Sequence, residues 1–196
     1  MTRYLHKKGM IEMMKKLVLL VTLVVLLSMA VCHASETALN DVITPDSFTN
    51  AFNERCEIEN DSLRIFKGKH ISHDEKRGMD VHGYLVTNAD HPKNSPILII
   101  ALSNPLGELY GIQVLAKMDM YQDYESALKD AAKYMIIVER TVGMPSGEAA
   151  VDGMFAVSDA LTKKKGSYWS EETERRYIVV PVRTRDRVGL YIHATI

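Results

Sequence analysis

The sequence predicts an α+β domain, an antiparallel sheet with helices packed on one face. Three observations carry that reading. Segments early and late in the chain alternate apolar and polar residues at period two, or run on as short apolar stretches. Two consecutive segments in the second half repeat their apolar residues at helical spacing. Strands and helices therefore come in runs, which separates α+β from alternating α/β. The expected order is αββββααββ.

The first helix opens at Thr44-Pro45-Asp46, with Thr as N-cap, Pro at the first helical position and an acid in the first turn. Phe48, Ala51, Phe52 and Cys56 follow on one face. Cys56 reads as a buried small hydrophobe, because a reactive thiol needs basic neighbours and exposure. Residues 62–67 form a short strand, and the charged residues 67–78 form a loop or a hairpin tip. Residues 79–87 alternate Val81, Gly83 and Leu85 against His82, Tyr84 and Val86. Residues 88–96, with two prolines and two asparagines, are a loop. The continuous apolar run 97–102 is bounded by turn residues and reads as a central strand. Asn104-Pro105-Leu106-Gly107 is a β-turn that returns the chain into a paired strand at 109–118.

Leu128, Ala131, Ala132, Met135, Val138 and Val142 mark the inward face of the next helix, which Gly143 and Pro145 end. Ser146 caps a third helix, whose expected inward face is Ala150, Val151, Met154, Phe155, Ser158 and Leu161. Lysines at 163–165 suit the negative end of its dipole. A hairpin over 175–196 closes the domain. Pairing its even residues with each other demands an odd-length loop, built on a type I turn from Asp186 to Gly189 with a glycine bulge. That register sets Arg183 opposite His193 and Arg185 opposite Tyr191.

Residues 1–34 stand apart from this domain. Lys15 and Lys16 precede a 15-residue apolar stretch at 17–31, and Cys32-His33-Ala34 fits a small-x-small cleavage site. The expectation is a signal peptide cut after Ala34, with Met1, Met13 or Met14 as the start. The stretch falls short of a membrane span. Val31 stands where a lipid-modified Cys32 would want Gly, Ala or Ser. Residues 35–43 are a short polar leader and 44–196 one domain. The chain is then exported, to the periplasm or beyond the cell. Without residues 1–34 the net charge is −5, which argues against a nucleic-acid partner. The one remaining thiol, Cys56, leaves no internal disulfide.

Two polar clusters are candidate sites. His70, His73 and His82, with Asp74, Glu75 and Asp80 nearby, offer imidazole and carboxylate donors suited to a divalent ion such as zinc. Their spacing matches no established zinc signature. The second cluster lies on the outer face of the closing hairpin. There Arg183, Arg185, Tyr191 and His193, beside Arg175 and Tyr177, set guanidinium forks next to phenol and imidazole, which suits a small anionic ligand. Gly143-Met144-Pro145-Ser146-Gly147-Glu148 resembles a nucleophile elbow only in having Ser between glycines, and a capping turn explains it. No P-loop, dinucleotide fingerprint, HExxH or EF-hand loop is present, so no cofactor is expected. The leading expectation is an exported, non-catalytic protein that binds an extracytoplasmic protein or a small anionic ligand. The alternative is an exported hydrolase or metal-dependent enzyme using the histidine-rich segment 70–82.

Overall fold

Eight strands and three α-helices follow one another in runs in the computed structural model, which describes residues 36–88, 95–143 and 148–196. The expected signal peptide, Cys32, most of the 88–96 loop and the expected Pro145-Ser146 helix start lie outside the described residues. No described helix is long and apolar enough to cross a membrane.

The chain enters through β1 (Glu36–Thr37) and reaches α1 (Pro45–Ile58). Thr44 caps α1 as the sequence predicts: its Oγ1 accepts from the Ser47 amide, and Ser47 Oγ accepts from the Thr44 amide. Phe48, Phe52 and Cys56 are fully buried on its inner face. Four strands follow: β2 (Leu63–Asp74), β3 (Met79–Asn88), β4 (Ile97–Ser103) and β5 (Leu109–Lys117). The turn between β4 and β5 closes where it was expected, with the Gly107 amide donating to Asn104 O at 2.9 Å. Next come α2 (Tyr124–Val142) and α3 (Glu148–Lys163). The chain ends with β6 (Gly166–Ser170), β7 (Arg175–Arg183) and β8 (Arg187–Thr195).

Three departures from the sequence reading have local causes. First, β2 runs on to Asp74, through what reads as a charged loop, because Asp74 pairs with Met79 across a tight turn. As an edge strand it tolerates polar side chains. Second, β6 is an additional strand. Its buried positions are Gly166, Tyr168 and Ser170, so it shows no aliphatic alternation. Third, the closing hairpin has a two-residue loop, not an odd one. The Thr184 amide donates to Arg187 O at 2.9 Å, and Thr184 Oγ1 accepts from the Arg187 amide at 3.0 Å. Arg183 consequently pairs with Val188 and His193 with Ile178. Gly189 is not a turn residue. It lies inside β8, where a Cβ would stand 1.8 Å from Val114 O.

The strands form one antiparallel sheet in the order β2-β3-β4-β5-β8-β7-β6, with β1 added on β8. All three described helices pack on one face. Their buried residues join Ile65, Tyr84, Ile99, Val114, Leu190, Tyr177 and Tyr168 in a single core. The other face is apolar as well: Val81, Ile100, Leu102 and Leu115 are buried on it. The C-terminus of α2 is held from the segment after β1 and from β6. Asn40 Nδ2 donates to Val142 O at 2.8 Å, and Ser170 Oγ donates to Gly143 O at 2.8 Å.

Candidate functional site

The histidine-rich segment does come together. Asp80 and His82 on β3 share the helix-covered face with their β4 partners Ser103 and Ala101. On β2, His70 lies opposite His82, and His73 opposite Asp80. The bulge between His70 and Ser72 brings two residues three apart onto one face. His70 Nε2 and His73 Nδ1 both reach Asp80 Oδ1, at 3.0 and 2.9 Å. These bonds, His73 first, hold the Asp80 carboxyl below its usual range. His82 Nε2 instead lies 3.0 Å from Ser103 Oγ, and its ring meets His70 edge-on at 5.4 Å between centroids. Burial, then the neighbouring His70, lowers the His82 pKa, which keeps the ring neutral at pH 7. Tyr84 OH donates to Pro45 O at 2.9 Å and ties this corner to the start of α1.

The predicted metal set is therefore gathered as a hydrogen-bonded patch. Among the described residues no group of three or more His, Cys, Asp or Glu is arranged to hold a metal ion. His70 and His73 spend their inner nitrogens on one Asp80 oxygen, while His82 turns to Ser103. Sequence reasoning missed Ser103. Its signal was position: it follows the apolar run 97–102 and precedes the β-turn.

The arginine set is not assembled. Cross-strand partners share a face, so Arg183 sits on the face of Val188, opposite to that of His193. Arg183 lies over the Tyr124 ring, 5.0 Å from its centroid, and Arg185 is in the exposed turn. Tyr191 and His193 stack at 5.3 Å and are 2% and 1% exposed, so this face of the hairpin is not the wet side. His193 is held neutral, its pKa pushed down to about 4 by burial first and Lys165 second.

A third surface was read the wrong way round from sequence. The inner side of α3 is Gly153, Ala156, Val157 and Ala160. The predicted inner residues Val151, Met154, Phe155 and Leu161 are 49%, 48%, 65% and 36% exposed, and Ser158 is exposed too. The cause is the close approach of α3 to β6. A Cβ on Gly166 would stand 1.8 Å from Ala156 O, so only small side chains fit between them. The large side chains face solvent beside an open groove of about 520 Å³ between α2 and α3. Ala132, Ile136, Ile137, Met154, Val157 and Leu161 form its apolar walls. The cations along it are already engaged: Lys129 with Glu125, Lys133 with Asp61, and Arg140 with Glu59.

Behind this groove α2 buries Glu139 completely. Neither carboxylate oxygen has a hydrogen-bond partner among the described residues, and the nearby Tyr168 hydroxyl also has none. Burial pushes the Glu139 pKa well up. The sequence carried a signal for this acid, which stands four residues after Met135 and three before Val142, on the inward stripe.

No family model, no curated protein and no solved structure matches this chain.

Proposed function

We propose that the protein is an exported, non-catalytic interaction module and that the outer face of α3 is its contact surface. One observation carries the reading: α3 turns its small residues to the core and Val151, Met154, Phe155 and Leu161 to solvent, beside an apolar groove. Large apolar side chains gathered on one exposed patch mark a surface that another molecule covers. Export rests on the basic and apolar leader at 1–34 and the cleavage triplet that ends it. A photo-crosslinking side chain placed at 155 in producing cells should yield an adduct of discrete mass, while the same group at the exposed Glu172 yields none. No adduct at 155 would overturn the assignment of this face. Protein recovered outside the cytoplasm should begin at Ser35. Full-length protein held inside the cell would refute export.

A second reading, a hydrolase, is favoured by the His82–Ser103 hydrogen bond alone. A neutral imidazole bonded to a hydroxyl is the first pair of a nucleophile relay. Two features weigh against it. Ser103 is 1% exposed, and no carboxylate bonds His82 Nδ1 among the described residues, since Asp80 is taken by His70 and His73. Labelling of Ser103 by an organophosphonate, abolished in His82→Ala, would establish this reading. An unlabelled Ser103 removes it.

A further inference from the structure

We propose that α3 docks antiparallel against α3 of a second copy of this chain, with its exposed apolar stripe as the core of a two-fold interface. The inference rests on the reading of α3 as the contact surface and names its partner. Val151, Met154, Phe155, Ser158 and Leu161 follow the spacing of one helical face and lie on the solvent side of α3.

The order of charge along the helix favours an antiparallel copy. Asp152, near its start, is exposed and has no ion pair among the described residues. Lys163, Lys164 and Lys165 crowd its other end, all exposed, with Lys163 paired to Asp159 one turn back. An antiparallel partner sets each acidic end against the other's basic end, whereas a parallel partner sets like against like. Antiparallel helix dipoles add to the same preference. A two-fold contact needs one patch that complements itself, and this charge order does so about an axis across the middle of α3.

Phe155 is the most exposed of the described apolar residues on α3 and shares its outer stripe with Met154 and Leu161, which wall the groove together with Ile136. An isologous contact provides one Phe155 for each groove. Ser158, one turn on, is small enough to let the two helices approach. An acidic ligand is the poorer occupant, because Lys129, Lys133 and Arg140 along the groove already have carboxylate partners.

Sedimentation and light scattering of the mature chain should give twice the monomer mass at high concentration. Phe155→Asp should weaken the dimer at least about 100-fold while leaving the melting temperature of the monomer unchanged. Asp152→Lys should weaken it about threefold to tenfold, and adding Lys164→Asp to that variant should restore it. The left-handed backbone at Lys164, with φ 66°, accepts Asp. Ser158→Cys, near the axis, should form an intermolecular disulfide on oxidation, and Glu172→Cys should not. A monomer at every concentration, or a dimer indifferent to Phe155→Asp, overturns the proposal. A monomer that still gives a crosslink at 155 to a different protein would remove the second copy and leave the contact surface standing.

Discussion

Phe52 anchors the packing of α1. It is fully buried between Phe48, 5.8 Å away by ring centroid, and the sheet, and Phe48 in turn meets Tyr84 at 5.1 Å. Truncating it removes a large buried ring and leaves a cavity that the paired aromatics cannot fill. Phe52→Ala should cost about 3–5 kcal/mol of unfolding free energy, read by urea denaturation. A loss below about 1 kcal/mol would mean that α1 is not packed through this face. One turn later the same stripe buries Cys56. Burial first, then the charge of Asp61, pushes its thiol up to about 12. Thiolate is the reactive form, so native protein should resist alkylation by iodoacetamide at pH 8 and react only once unfolded. Rapid labelling of folded protein would show an open path to Cys56.

The elements show where sequence pattern reports packing and where it does not. α1 and α2 read largely correctly because their inward stripes are mostly apolar, so burial and periodicity coincide. In α2, Ala131, Ala132, Met135, Val138 and Val142 are all buried as expected. In α3 the two separate. Its most hydrophobic stripe points outward because Gly166 brings the β6 backbone against Ala156, and that constraint lies in a residue outside the helix. The strand β6 was illegible for a related reason, since glycine, tyrosine and serine fill its inward positions. The histidine corner was half legible. The cluster could be named from composition, but the bulge in β2 and the contribution of Ser103 from β4 are matters of register. Gly166→Ala tests the close approach. The added methyl meets backbone, which cannot move aside as a side-chain tip can, so the cost should be about 3 kcal/mol or more. The damage should show as faster amide exchange in α3 and β6 while α1 keeps its protection. An unchanged stability would show that α3 sits farther from β6.

At the scale of the whole molecule, two buried ionisable groups without hydrogen-bond partners among the described residues shape the pH dependence of stability in opposite directions. Glu139 has its pKa raised by burial from an ordinary value of 4.5. Above that pH the unfolded chain loses the proton while the folded chain keeps it, so stability falls as pH rises until the folded group also ionises. His193 has its pKa lowered to about 4 from 6.5. Between those values the unfolded chain takes up a proton that the folded chain refuses, so stability falls as pH drops through this window. Each slope is about 1.4 kcal/mol per pH unit. Where the two windows overlap the slopes oppose each other. Single substitutions separate them. Glu139→Leu should gain stability over wild type, and the gain should widen as pH rises from 5 to 8. The advantage of His193→Phe should instead widen as pH falls from 7 to 4. Urea denaturation of the three proteins at pH 4, 5, 6.5 and 8 reads both differences. A gain for Glu139→Leu that does not depend on pH would mean that Glu139 titrates normally in the folded protein. Its carboxylate would then have to reach water at the base of the α2–α3 groove.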